Sequence, residues 1–245
     1  MKHIPMLFTG PMVIAKKEGR KDNTRRLKGL ELINKNPDDW EFVRFHDGFA
    51  KFCEKHNWTN EKYIKCPYGQ PGDLIWTRET FIINGFQVLQ NTYYMIEVKY
   101  MDGEIRCVKL DENETASFDK WKRKTGKQSS LFMFKSLCRF WDKIESIRCE
   151  RLQDIAPMAA LYEGVEYWNV DHKALEGGEF VADFKNYQWV DDEDYHEYHF
   201  PSFSNSIDSF RTLWDSINAE KGLNWKFNPW VWVVKFSPTE KPTDL

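Results

Sequence analysis

Apolar and polar positions alternate along the chain in short runs whose period changes often, a pattern that predicts strands mixed with a few helices. Ile4 to Phe8 is a short apolar stretch fit for an edge or barrel strand. Pro11 to Glu18 predicts a helix. Proline suits a first turn, where its missing N–H is not needed; Met12, Val13 and Ala15 form an apolar side, and Lys16 and Lys17 face water. Gly19 is placed to end that helix in the left-handed conformation. Gln70-Pro71-Gly72-Asp73 has the residues of a type II turn. Leu74 to Phe81 then reads as a strand with Trp76, Arg78 and Thr80 on one face and Ile75, Thr77 and Glu79 on the other. Tyr93 to Tyr100 and Glu104 to Leu110 read as paired strands around the turn Met101-Asp102-Gly103. Cys138 to Arg151 predicts a long strand, Asp154 to Gly164 a short helix with Glu163 in its last turn, and Trp230 to Phe236 a buried strand. Phe210, Leu213, Trp214 and Ile217 fall at i, i+3, i+4 and i+7, an amphipathic helix closed near Gly222.

Three stretches interrupt this pattern. From Lys35 to Pro67 the chain is polar with scattered aromatics, and one helix is expected around Asp47 to Lys55. Lys120 to Lys127 interleaves cations with Trp121 and reads either as a solvated helix end or as a flexible nucleic-acid contact. Glu166 to Pro201 is rich in acids and aromatics, with Asp191 to Asp194 beside His196 and His199. A solvated loop is the reading preferred there over metal binding, because no further ligand motif accompanies the two histidines.

At 245 residues the chain is long enough for a substantial core, and its net charge of −3 argues against bulk coating of duplex nucleic acid. A local basic patch stays open. Aromatic residues, eleven Trp among them, fill cores and also stack on bases. The five cysteines are odd in number and hold no C-x-x-C pair, which fits a reducing cytoplasm rather than a disulfide framework or a zinc ribbon. No cationic-then-apolar leader and no apolar run of membrane length is evident, so a soluble cytoplasmic protein with no membrane partner is expected. With no glycine-rich phosphate loop and no G-x-S-x-G elbow, no cofactor and no metal is expected.

The densest candidate chemistry is Gly19-Arg20-Lys21-Asp22-Asn23-Thr24-Arg25-Arg26. A lysine near a hydroxyl can act as base and nucleophile if burial lowers the amine's pKa; the same residues also read as solvated cations at a helix C-terminus. Lys21 and Thr24 share a face only in a helix or turn, since a regular strand would point them apart. Glu163, set against the negative end of its helix, calls for a cationic partner, and Lys21 is the candidate.

Phe8-Thr9-Gly10-Pro11-Met12-Val13 followed by Gly-Arg-Lys-x-x-Thr-Arg-Arg resembles the opening of the ASCH family of the PUA-like superfamily, especially its phage-encoded members. Tyr68 to Thr80, Ile147 to Ile155, Ala159 to Val165 and Asn228-Pro229-Trp230-Val231-Trp232-Val233 resemble further blocks of that family in the same order. The resemblance implies an α+β fold, a PUA-like β-barrel with flanking helices, as one enlarged domain over residues 1–245 with insertions at about 35–67, 111–130 and 166–201. It also implies a cleft for a nucleoside or for single-stranded or modified nucleic acid. One branch hydrolyses N4-acetylcytidine with a lysine, a threonine and a glutamate, which fall here on Lys21, Thr24 and Glu163. Asp22 stands where that branch has a first threonine, putting a carboxylate beside Lys21 that would hold the amine charged. Arg20, Arg25, Arg26, Trp76, Arg78 and Glu79 are the candidate binding residues. The resemblance thus implies a hydrolase of an N-acylated cytidine-type nucleobase or nucleoside. A non-catalytic binding module is the alternative, and a ribonuclease a weaker one.

Overall fold

Strands outnumber helices throughout. β1 (His3–Leu7) and helix α1 (Gly10–Lys17) lead into the short β2 (Asn23–Arg26). Next come β3 (Trp40–His46), β4 (Phe49–Glu54) and β5 (Asn57–Lys65). β6 (Leu74–Arg78), β7 (Phe81–Leu89), β8 (Tyr93–Tyr100) and β9 (Ile105–Lys109) precede helix α2 (Glu112–Lys120) and β10 (Gly126–Gln128). β11 (Trp141–Arg151) is followed by helix α3 (Pro157–Leu161), then β12 (Tyr167–Trp168), β13 (Asp183–Lys185) and β14 (Ser202–Phe203). Helix α4 (Ser206–Asn218) and β15 (Trp230–Thr239) come last. The structure is a computed structural model and describes residues 1–90, 92–168, 170, 182–188 and 202–242. The fold is mixed α+β, and among the described residues no sheet closes into a barrel.

The chain gathers into two compact units built from discontinuous pieces. Met1–Ile14, Gly72–Ile144 and the chain from Ser237 make the first, and Ala15–Pro71 with Glu145–Phe236 the second. In the first unit β1 lies parallel to β6, from His3 opposite Leu74 to Leu7 opposite Arg78, and β6 meets the start of β11 antiparallel. The four-stranded sheet β10-β7-β8-β9 is antiparallel. The expected hairpin at Met101-Asp102-Gly103 joins β8 to β9, with Gly103 at φ 88°. Helix α2 starts on a capping box in which Asp111 and Glu114 satisfy each other's backbone N–H. Its Phe118, fully buried, meets Tyr94 and Phe86 edge-on at 5.2 and 5.4 Å. Trp121, at the helix end, stacks on Phe134 at 4.9 Å, so the ring among the cations of Lys120 to Lys127 packs on the protein itself.

In the second unit β15 pairs antiparallel with β2, Thr24 opposite Val234 and Arg26 opposite Trp232. Its first five residues are all buried, as an apolar run rather than an alternation predicts. Helix α4 lays Phe210 and Trp214 into a core with Leu152, Leu161, Val165 and Val233, while Ile217, the last member of the apolar stripe, stays 41% exposed. Gly222 ends the helical region at φ 73°.

Two expectations are corrected. Asp47 to Lys55 is not a helix; Asp47 and Gly48 take φ 49° and 80° in the tight turn of a hairpin, and β3, β4 and β5 form an antiparallel meander. Positive φ at both central residues matches the right-handed strand twist, the reason Asp-Gly favours hairpins. The strand expected over Leu74 to Phe81 ends at Arg78, and a new strand begins at Phe81.

Candidate functional site

Six of the candidate residues, Arg20, Lys21, Thr24, Arg25, Arg26 and Glu163, belong to the second unit. Gly19, at φ 74°, reverses the chain after α1, and the N–H groups of Arg20 and Lys21 both donate to the Ala15 carbonyl, at 2.8 and 3.2 Å. Lys21 then forms an isolated antiparallel bridge with Glu163, which lies just past α3 rather than in its last turn. The Asp22 N–H donates to the Tyr162 carbonyl at 3.2 Å, fixing the two segments side by side. Gly164 follows at φ 87°. A Cβ there would stand 2.8 Å from Ala15 Cβ and 3.2 Å from Lys21 Cβ, so a side chain at this position would push the two segments apart.

The Glu163 carboxylate is shared by two cations. Lys21 Nζ donates to Oε2 at 2.9 Å and to the Glu163 carbonyl at 2.7 Å, while Arg25 Nη1 donates to Oε1 at 2.9 Å. Arg25 Nε reaches Glu150 Oε1 at 3.0 Å, and Glu150 in turn accepts from Arg148 Nη2 at 2.8 Å. The Lys21 side chain has no exposed surface and that of Glu163 only 4%. Burial pulls the Lys21 amine down to about 8; Glu163 opposes that shift, and the charges of Arg26 and Lys16 add to it. Burial likewise pushes the Asp22 carboxyl up, and its Oδ1 has no hydrogen-bond partner among the described residues. The carboxylate acting on the amine is therefore Glu163, and burial rather than Asp22 sets its proton affinity.

Lys21 and Arg25 meet at one carboxylate because the backbone between them is extended and alternate residues share a face. Thr24, 2% exposed on β2, falls on the alternate face. No hydrogen bond joins it to Lys21 or Glu163 among the described residues. The turn that would bring Lys21 and Thr24 to one face is absent. Arg20 donates to the Val165 carbonyl at 3.2 Å and to Glu18 Oε2 at 2.8 Å. Burial lowers the proton affinity of Arg26. Sequence reasoning placed Arg25 among binding residues and missed Glu150; the one trace was that Arg148 and Glu150 share a face of β11.

Trp76, Arg78 and Glu79 belong to the first unit. Trp76 packs with Leu74, Cys138 and Trp141, and the Arg78 guanidinium lies 5.1 Å over its ring while donating to the carbonyls of Leu131 and Met133. Glu79, 1% exposed, accepts from Arg139 Nε and Nη2 at 2.9 and 2.8 Å. The Trp76 face is thus occupied by the protein's own groups.

Among the described residues no cluster of three or more His, Cys, Asp or Glu is placed to hold a metal ion; His196, His199 and Asp191 to Asp194 lie outside those residues. No described helix is long and apolar enough to cross a membrane. No protein-family model, curated protein or solved structure matches the chain.

Proposed function

We propose that this chain is an ASCH-type, PUA-like β-barrel domain that hydrolyses an N-acylated cytidine-type nucleobase or nucleoside, with Lys21 as the proton-transfer group. One observation carries the reading: a buried amine 2.9 Å from a carboxylate, with its proton affinity lowered to about 8. An amine poised near neutral pH can take a proton from an attacking hydroxyl and return it to a leaving amine. Glu163 orients Lys21, and Arg25 supplies a fixed donor for charge developing on the acyl oxygen. Thr24 is the attacking hydroxyl that the family resemblance implies; it reaches the amine only when the Lys21 to Thr24 backbone leaves its extended form. The test is N4-acetylcytidine hydrolysis by the parent and by Lys21→Met, Glu163→Gln and Thr24→Val, with circular dichroism to confirm folding. Loss of turnover in the first two supports the base assignment, and loss in the third marks threonine rather than water as the nucleophile. Full activity in Lys21→Met ends the proposal.

The complete burial of the Lys21 side chain favours a second reading, a binding module whose charge network is structural. Tight binding of acylated nucleosides with no product would select it.

A further inference from the structure

The meander β3-β4-β5 is packed from one side. Ala50 and Phe52 of β4 are fully buried, and Phe52 meets Trp230 edge-on at 5.2 Å. Alternate residues point outward, and the strand register sets them in two cross-strand rows: His46, Phe49 and Lys65, then Arg44, Lys51 and Tyr63. Phe49 keeps 40% and Tyr63 58% of its surface exposed, far more than an aromatic residue placed for packing. Phe49 meets no other ring among the described residues. The rows border a shallow hollow of about 320 Å³ lined by Arg44, His46, Asp47, Phe49, Lys51 and Tyr63.

Two features narrow what this face would hold. Phe49 and Tyr63 are diagonal neighbours across β4 and β5, a relation that separates side chains by ~7 Å, so the two rings stand side by side on one face. Two bases of one strand can therefore each lie against one ring. The cations are also available: Lys51 is paired with Glu61 at 2.5 Å, but Arg44 and Lys65 form no ion pair among the described residues. Tyr63 donates to Glu61 at 3.0 Å and has Lys51 5.8 Å from its ring, while Arg44 and Lys65 at the ends of the two rows supply the unpaired charge; exposed rings with cations beside them suit a ligand with flat apolar faces on an anionic backbone.

We infer that the outer face of the β3-β4-β5 meander binds single-stranded nucleic acid, with bases stacked on Phe49 and Tyr63 and phosphates met by Arg44 and Lys65. A duplex offers no base faces to these rings, and a chain with a net charge of −3 gives it little general attraction. The inference stands apart from the Lys21 chemistry.

The experiment is fluorescence anisotropy of the full chain with a labelled oligouridine of about ten nucleotides, within the range one small domain covers, and with a duplex of equal length. The single strand should bind, and the duplex at least about tenfold more weakly. Phe49→Ala and Tyr63→Ala should each weaken binding about fivefold or more, the lower limit for a lost stacking partner. Arg44→Ala and Lys65→Ala should each reduce the slope of log affinity against log salt by about 0.7. All four side chains are at the surface, so the fold is kept. Phe49→Ala and Tyr63→Ala should leave N4-acetylcytidine turnover at the parent's level, which separates failure here from failure of the hydrolase reading. Absence of binding, equal affinity for the duplex, or unchanged affinity in the Phe49 and Tyr63 variants would overturn the inference. So would a Phe49-dependent self-association in sedimentation, since the face would then join two copies of the chain.

Discussion

Among the described residues each unit carries a buried charge cluster, and the two are built around different cations. In the second unit two cations, Lys21 and Arg25, converge on the carboxylate of Glu163, and Arg25 also holds Glu150 at 2.5 Å. In the first, one cation, Arg139, holds three carboxylates: Glu79 at 2.8 Å, Asp102 at 2.9 Å and Glu104 at 2.6 Å, with its guanidinium 4.0 Å over the Tyr100 ring. Arginine brings a rigid fork that stays protonated, suited to tying a hairpin to a strand and unsuited to moving a proton. Lysine brings an amine that burial can discharge. A cluster whose cation is an amine can pass on that cation's proton, whereas a guanidinium ringed by carboxylates keeps its own. Burial alone does not tell the two apart; whether the cation can lose a proton does.

The largest effect expected from this contrast follows removal of a carboxylate. Glu163→Gln takes the carboxylate away from the buried Lys21 amine while Arg25 keeps Glu150, and a buried pair broken from one side costs about 3–5 kcal/mol. Glu79→Gln leaves Arg139 with Asp102 and Glu104, so only charged hydrogen bonds are lost, about 1.5–3 kcal/mol. Urea denaturation of both variants at neutral pH checks the ranking. Equal losses would mean that the number of carboxylates left to the buried cation does not govern stability.

Proton linkage gives the next effect. Below pH 8 the Lys21 amine is protonated in the folded and unfolded chain alike, and the penalty for holding that charge in a buried site is fully present. Between about 8 and the ordinary 10.5 only the unfolded chain keeps the proton, so stability from this group rises with pH across that window. The gain is about 3 kcal/mol relative to Lys21→Met. Denaturation midpoints of the two proteins from pH 7 to 10.5 should diverge, the parent gaining. Parallel curves would mean that burial does not lower the proton affinity of the Lys21 amine. Hydrolysis, if Lys21 is its base, should increase through the same lower limit.

What the sequence revealed, and what it hid, follows from how local each signal is. The hairpin at Met101-Asp102-Gly103, helix α4 with its stop at Gly222, and the buried run of β15 all rest on neighbours within a few residues, and all are legible. The pairing of Lys21 with Glu163 was legible from two signs, a glutamate at a helix end that needs a cation nearby and a family resemblance that sets the two residues in one site. Its partners were not: Arg25 and Glu150 meet across 125 positions, and no spacing rule links them. The same distance hid which face of β2 turns toward the carboxylate, since the choice between Thr24 and Arg25 is made by the bridge to Glu163 and not by the strand itself. The meander was hidden for another reason. Asp47-Gly48 is a strong local hairpin signal, but the aromatics around it are spaced to fit a helix almost as well as a strand, and the two exposed rings belong to neither core pattern.

Glycine substitutions give the smallest and sharpest test of how each cluster is assembled. Gly103, at φ 88° between Asp102 and Glu104, has nothing within 4 Å of where a Cβ would stand. Gly103→Ala therefore bears only the left-handed backbone penalty, about 1–2 kcal/mol, and leaves the Arg139 cluster in place. Gly164, at φ 87°, bears the same penalty, and its added methyl lies 2.8 Å from Ala15 Cβ and 3.2 Å from Lys21 Cβ. Overpacking of that kind adds about 1–3 kcal/mol. The difference between the two variants thus isolates the steric part. Their pH behaviour should separate too: pushing Glu163 away from Lys21 admits water to the amine, so Gly164→Ala should lose part of the stability gain between pH 8 and 10.5 that Gly103→Ala keeps. Identical losses and identical pH curves would show that close approach of the Glu163-Gly164 segment is not what discharges the amine.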